Sequence, residues 1–110
     1  MAELQFSSEA SDRLNMAIAT KIGANSALLD IPLANIDRWL AQGHSAPRRL
    51  EQWRALILDA RAAPEAMAAL LRILRDPGEE ARHLRSFSPF AGVLTTLERR
   101  EIRAKCVFAH

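Results

Sequence analysis

Glu80 and His83 are the two residues whose types and spacing come nearest to a metal or acid–base site. A spacing of three places a carboxylate and an imidazole on the same face of a helix, as in the di-iron helical bundles. Such sites need a second Glu-x-x-His pair and two further glutamates from facing helices, and this chain contains no other Glu-x-x-His. We therefore interpret the pair as part of a solvated helix face and predict no metal site.

The other histidines and the cysteine do not complete a catalytic arrangement. His44 lies in a Gly-Ser loop, and His110 lies at the C-terminus, so neither has a neighbour at metal-ligand spacing. Cys106 stands beside valine and phenylalanine and is expected to be a small buried apolar group rather than a nucleophile. No serine has the glycine-flanked setting of a nucleophile. We expect neither enzymatic activity nor a cofactor.

Phe87, Pro89 and Phe90 form the most distinctive short segment of the chain. Two aromatic rings flank a proline that removes a backbone donor and disfavours helix before it, so an ordered non-helical connector is expected. Leaving each ring in water would cost roughly 1.5–3 kcal/mol. The segment is therefore predicted to insert either into the core or into a partner, and the sequence leaves both possibilities open.

A basic cluster just beyond this segment consists of Arg99, Arg100, Arg103 and Lys105, and Arg82 and Arg85 could join it across the segment. Glu98 and Glu101 stand among these bases, and Glu101 is expected to pair with Lys105 at the favourable i,i+4 spacing, so the cluster does not resemble an uninterrupted track for phosphates. The usual interpretation of such a cluster is a solvated helix face. A rim that contacts an acidic protein partner is the functional alternative, and we predict partner binding through the aromatic segment together with Arg99, Arg100 and Arg103.

Residues 26–43 offer a different function, that of a helix-turn-helix DNA-binding regulator. The segment could form a helix, a turn and a recognition helix. It carries two acids and one base, however, whereas a helix that enters the major groove normally presents a basic face to the phosphates. DNA binding is thus the alternative, and a non-enzymatic protein–protein interaction module is the favoured function.

Helices must position all of these residues, because every apolar pattern in the chain has helical period and none alternates as a strand does. The chain of 110 residues is long enough for one domain with its own core. The sequence predicts an all-α domain over residues 1–110, a compact bundle of five or six short helices built from helix hairpins. Residues 1–7 are expected to form a loosely ordered N-terminal arm.

Glycine, proline and capping residues mark the predicted joints between the helices. The expected signals are a cap at Ser7 or Ser8, stops at Gly23 and Gly43, first helical positions at Pro47, Pro64 and Pro77, and capping boxes at Asp76 with Glu79 and at Thr95 with Glu98. Pro32 is expected either in the first turns of one helix or, after a short turn, at the start of a helix. The chain has no apolar run near 20 residues and a single cysteine, so a cytoplasmic location is expected.

Trp39 and Trp53 lie on opposite arms of the hairpin that the Gly43 loop should close. Both occupy apolar stripes at helical spacing, where large aromatic residues usually belong to a core. We predict that both are core or near-core residues and that neither binds a ligand.

The sequence Ser-Pro-Phe-Ala-Gly-Val-Leu at residues 88–94 resembles a signature near the C-terminus of a group of small uncharacterised bacterial helical proteins. Residues 35–40 and 53–56 are similar to the same group, and the resemblance covers residues 35–103. It implies that nucleotidyltransferase-type toxins are partners and that the chain has an antitoxin-like or accessory role. Thr96 stands where the group has a proline after the threonine cap, which leaves the cap intact.

Overall fold

The computed structural model describes the backbone of residues 2–108 and the side chains of residues 9–106. Within these residues the chain folds into six α-helices and one 3-10 turn, without a strand. The elements are α1 Ala2–Ala24, the 3-10 turn Ser26–Leu29, α2 Asp30–Ala41, α3 Pro47–Ala62, α4 Pro64–Arg75, α5 Glu79–Arg85 and α6 Thr96–Phe108. The prediction of an all-α single-domain bundle is confirmed.

The turn after α2 shows why its boundary could be located from the sequence. Gly43 adopts a φ of +78°, which a residue with a side chain rarely does. Its amide donates to the carbonyl of Leu40, and the amide of His44 donates to that of Trp39, both at 3.1 Å. These two bonds are the Schellman arrangement, and the Trp39 ring stacks on His44 with ring centroids 6.1 Å apart.

Prolines begin the next two helices as predicted. Pro47 and Pro64 each stand in the first turn of α3 and α4, where a missing backbone donor costs nothing. Pro32 also lies in the first turn of α2, directly after the 3-10 turn. The structure thus combines the two predicted alternatives for Pro32, a short turn and a helix that contains the proline.

Two predicted starts are wrong. Helix α1 begins at Ala2, ahead of the expected cap at Ser7 or Ser8, so residues 2–7 are helical. Helix α5 begins at Glu79 with Gly78 as its N-cap. The carboxylate of Asp76 accepts from the amide of Gly78 at 2.7 Å, so it closes a local turn two residues long instead of a capping box.

The core lies between α1, α2, α3 and α4, and it continues into the segment between α5 and α6. Trp53 is fully buried at its centre, and its indole N–H donates to the carbonyl of Leu84 at 3.1 Å. Trp39 is half-buried at the edge of the core. Both tryptophans therefore occupy the core or near-core positions expected for them. The other buried apolar side chains include Ile22, Leu29, Ile36, Leu50, Ile57, Leu70 and Leu74.

None of the helices in the described part of the chain has both the length and the apolar character needed to cross a membrane.

Candidate functional site

Residues 86–95, called the connector below, join α5 to α6, and Asn35 of α2 holds them in place. The buried Asn35 side-chain amide donates to the carbonyls of Pro89 and Ala91, both at 2.8 Å. Its oxygen accepts from the guanidinium of Arg38 one turn further along α2. Because one side chain satisfies two connector carbonyls, the non-helical backbone can lie against the core without unpaired acceptors.

Lys21 of α1 holds the other end of the connector and the start of α6. Its ammonium group donates to the carbonyl of Val93 at 2.8 Å and to the carboxylate of Glu98 at 2.7 Å. Glu98 also accepts from the amide of Thr95 at 2.7 Å, while its own amide donates to the Thr95 hydroxyl at 3.1 Å. The predicted Thr95–Glu98 capping box is therefore confirmed, and it is tied to α1 as well.

Burial separates the residues of the aromatic segment. Pro89 is fully buried and Phe90 is 2 % exposed, with the Phe90 ring edge-on to Trp53 at a centroid distance of 5.3 Å. These two residues belong to the core, so their prediction as partner contacts is corrected. The connector carries no charge, and its Phe90 ring packs on Trp53 of α3, which stabilises the fold more than a surface position would.

Phe87, the second aromatic residue of the segment, is partly exposed. It packs edge-on to His83 with centroids 5.6 Å apart, and the guanidinium of Arg49 lies 5.6 Å from its ring centroid. These contacts hold part of the Phe87 ring against residues of this chain. Because the ring is only partly buried, a partner contact through Phe87 stays a prediction.

Arg82 and Arg85 do not join the basic cluster, because Asp12 of α1 binds both. Asp12 accepts from Arg82 at 2.6 Å and from Arg85 at 3.0 Å, and the hydrogen bond to Asp12 raises the pKa of Arg82. The Arg85 side chain is only 4 % exposed and also donates to the carbonyls of Ile73 and Asp76 at the end of α4. A helix C-terminus favours such a cation, so Arg85 stabilises the junction of α1, α4 and α5.

Arg99, Arg100 and Arg103 lie on one face of α6, since residues three and four apart share a helix face. We call these three residues the arginine face. With Thr96 they line an open cavity of about 320 Å³, and all three side chains are exposed. Among the residues whose side chains are described, none of them has a carboxylate within 4.0 Å.

The glutamates that interrupt the cluster in sequence do not interrupt it in space. Glu98 is held by Lys21 at the base of α6. Glu101 follows Arg100 by one residue and is therefore about 100° further around the helix. The expected pairing of Glu101 with Lys105 does not occur within 4.0 Å in the described structure. The arginine face is thus more uniformly basic than the sequence indicated.

Leu97, one turn before Arg100 and Glu101 on α6, has an apolar side chain that is 61 % exposed. The side of α6 that packs on the bundle carries Cys106, which is fully buried, and the half-buried Ile102. The prediction that Cys106 is a buried apolar group is confirmed. A leucine next to unpaired arginines is a combination typical of protein interfaces, where the apolar centre is surrounded by polar residues.

Residues 26–43 have a different geometry from the one that the DNA-binding alternative requires. They form one 3-10 turn and one α-helix, whereas a helix-turn-helix unit needs two α-helices. Both acids of the segment pair with α3: Asp30 with Arg61 at 3.1 Å, and Asp37 with Arg54. Arg38 is the one basic residue of the segment and donates to Asn35, so α2 does not present a basic face to phosphates.

Three residues that organise this region were missed from the sequence: Lys21, Asn35 and Arg85. Lys21 and Arg85 each stand four residues after an apolar stripe residue, where a hydrophobic residue would continue the pattern, and this interruption was the available signal. Asn35 lies beside the apolar stripe of α2 and gave no such signal. Their partners are 54 to 77 residues away for Asn35 and Lys21, so only the folded chain shows what they bind.

The titratable residues give no other candidate site. Glu80 and His83 are both exposed, and His83 contacts Phe87. Within residues 9–106, no three His, Cys, Asp or Glu side chains lie close enough together to hold a metal ion. No protein-family model matches this chain, and neither a curated protein nor a solved structure matches it.

Proposed function

We propose that this protein is a non-enzymatic protein–protein interaction module that binds an acidic partner through the arginine face and Leu97. The observation that carries the proposal is the absence of ion pairs at these arginines in the described structure. Arg54, Arg61 and Arg85 pair with carboxylates of this chain, whereas Arg48 and Arg72 have no ion pair in the described structure. The arginine face differs from both groups because three unpaired arginines line one cavity. Unpaired guanidinium groups are free to bind the carboxylates of another protein in the bidentate geometry that arginine favours.

A protein partner fits this surface better than a nucleic acid. The formal net charge of the chain is only +2. Leu97, which is exposed on the same helix as the arginine face, would gain nothing from contact with phosphates. Arginine is enriched in protein interfaces and among the residues that contribute most to their affinity. The arginines also lie on a helix that the capping box and Lys21 hold rigidly, so little ordering is needed on binding.

The resemblance at residues 88–94 extends the proposal to a partner class. We propose a nucleotidyltransferase-type toxin as the acidic partner, which would make this chain an antitoxin-like or accessory regulatory protein of a bacterial cytoplasm. Pro89, Phe90, Val93 and Leu94 of that signature are buried and precede α6, so in this proposal the signature preserves the geometry of the surface rather than the contacts themselves.

Charge reversal tests the proposal. The variant Arg99→Glu with Arg103→Glu should fold as the parent does, because both side chains are exposed and unpaired. Arg48→Glu with Arg72→Glu is a matched control, since it changes two exposed arginines on α3 and α4 by the same charge. Affinity would be measured for fluorescently labelled acidic peptides and, in parallel, for proteins recovered from the native host and quantified by mass spectrometry.

The α6 variant should bind acidic peptides at least ~10-fold more weakly than the parent, and the control should bind them within about twofold. Host proteins lost with the α6 variant but retained by the control should themselves be acidic. Equal loss in both variants would indicate a general charge effect and contradict the proposal. Strong binding to duplex DNA that weakens steeply between two salt concentrations would support a DNA-binding protein instead.

A further inference from the structure

A second cavity, of about 230 Å³, opens between α1, the connector and α6, next to the arginine face. Its apolar lining comes from Leu14 and Ile18 of α1 and from Phe90 and Leu94 of the connector. Arg99 lines this crevice as well as the cavity on the arginine face, so the two openings adjoin at its side chain. A ligand that pairs with Arg99 on the arginine face therefore lies next to the crevice.

Small residues leave the crevice open to solvent. Ser11, Ala91 and Gly92 line it and are exposed. Gly92 has a φ of +94°, where a residue with a side chain would be strained.

The polar groups around the crevice already have partners. The Asn15 amide donates to the carbonyl of Ser11 at 2.8 Å, the Ser88 hydroxyl accepts from the amide of Phe90, and Arg85 is held by Asp12. No buried side-chain nitrogen or oxygen of the described residues lacks a hydrogen bond. The lining therefore presents apolar surface and one available charge, Arg99, to an incoming group.

We infer that this crevice receives one aliphatic or aromatic side chain of the acidic partner segment, while a carboxylate next to that side chain in the partner pairs with Arg99. The inference rests on the proposed function and adds to it the chemistry of the partner: an apolar residue flanked by acids. The volume is adequate, since an apolar cavity of ~150 Å³ already holds benzene. The charge is complementary, because Arg99 is unpaired in the described structure and no carboxylate is among the described residues that line the crevice.

The probes are two labelled peptides that differ at one position: a run of glutamates with leucine at its centre, and the same run with alanine. The parent protein should bind the leucine peptide about tenfold more tightly than the alanine peptide, since burying a leucine is favourable by an amount of that order. Ser11→Trp places an indole over the crevice and should reduce this preference to about twofold or less. It should leave the affinity for the alanine peptide unchanged, because Arg99, Arg100 and Arg103 are retained.

Thr20→Trp is the matched control, because Thr20 is also exposed on α1 but does not line the crevice. It should keep the full preference for leucine. Ala91→Leu fills the crevice from the connector side and should act as Ser11→Trp does, so one poorly folded variant would not decide the result. Circular dichroism and melting temperature verify the fold of each variant.

The outcomes separate this inference from the proposed function. If the α6 charge reversal abolishes binding of both peptides but the parent shows no preference for the leucine peptide, the proposed function is upheld and the inference is overturned. A preference that survives in Ser11→Trp and Ala91→Leu would also overturn it. Binding that the charge reversal leaves unchanged would overturn the proposed function. If sedimentation shows a dimer that Ser11→Trp dissociates, a second copy of the chain occupies the crevice and the inference fails.

Discussion

Asn35 lies beside the apolar stripe of α2, between Leu33 and Ile36, and its polarity is explained by the connector that it binds. It donates to two backbone carbonyls and accepts from Arg38, so three of its hydrogen-bonding positions are used. A hydrophobic residue of similar size would fill the same space but leave the carbonyls of Pro89 and Ala91 without donors. A buried polar side chain of this kind specifies which backbone segment packs there.

Replacing Asn35 by alanine should therefore destabilise the protein by about 2 kcal/mol or more, because a buried carbonyl that loses its donor costs about 1–3 kcal/mol. Asn35→Asp should be at least as harmful, since a carboxylate would face two carbonyl oxygens. Unfolding in urea, followed by circular dichroism, measures both. Gln42→Ala, at an exposed position after α2, should change stability little. An Asn35→Ala variant as stable as the parent would contradict the role assigned to these bonds.

Glu98 links the capping box to α1, and its pKa records the link. The hydrogen bond from Lys21, followed by that from the Thr95 amide, lowers the pKa of Glu98 from 4.5 to about 2. A lowered folded-state pKa means that ionised Glu98 stabilises the folded protein. This contribution is complete above the unfolded-state pKa near 4.5 and is lost as the pH falls towards 2.

Glu98→Gln should lower the melting temperature at neutral pH and leave the difference from the parent smaller at pH 2–3 than at pH 6. The reason is that glutamine cannot be ionised, so it cannot gain the charge-assisted bond to Lys21. Melting curves across this pH range measure the effect. Glu101→Gln, on the same helix but without an ion pair in the described structure, is the control. A constant difference between Glu98→Gln and the parent at every pH would show that the ionised form is not favoured.

At the scale of elements, the connector behaves as part of the core even though it is not helical. Its backbone is held by Asn35 and Lys21, its Phe90 ring packs on Trp53, and Val93 is 1 % exposed. Helix α6 follows directly, so the connector determines where the arginine face lies relative to α1. Core packing and the position of the candidate site are therefore coupled.

Phe90→Ala should cost about 3–5 kcal/mol, the range for removing a fully buried phenylalanine. Phe87→Ala should cost distinctly less, because its ring is partly exposed. Chemical denaturation of both variants gives the comparison, and Phe90→Leu, which retains most of the apolar volume, should recover part of the loss. Equal, small effects of Phe87→Ala and Phe90→Ala would contradict the placement of Phe90 in the core.

At the scale of the whole molecule, contacts between distant parts of the sequence connect all of the helices. The Asp12–Arg85 pair joins α1 to α5, Lys21 joins α1 to α6, and the Trp53 indole joins α3 to the end of α5. Few helices could separate from the bundle without breaking one of these contacts. Such a structure should unfold cooperatively.

Unfolding in urea should therefore give one transition, with the same midpoint by far-ultraviolet circular dichroism and by tryptophan fluorescence. The first signal reports all helices, and the second reports mainly the buried Trp53 and the half-buried Trp39. Loss of helical signal before the fluorescence change would show that an outer helix such as α6 unfolds separately. In that case the arginine face would belong to a less stable part of the molecule.

The helices and most of their ends could be predicted from the sequence, because their signals are local. Gly43, Pro47, Pro64 and the Thr95–Glu98 capping box act on backbone groups within a few residues, so the physics is contained in a short stretch of chain. The wrong prediction for the start of α5 was also local in origin. Asp76 can close either a turn with Gly78 or a capping box with Glu79, and the chemistry of the side chain allows both.

Tertiary structure decided which residues are buried in the core and which remain on the surface. Phe87 and Phe90 have the same side chain and stand three residues apart, yet only Phe90 is buried, because Asn35 and Trp53 from other helices fix that part of the connector. Arg85 and Arg99 likewise differ, because Asp12 pairs with Arg85 and not with Arg99. Burial and charge pairing depend on which distant residues come together, and no periodicity along the chain encodes that information.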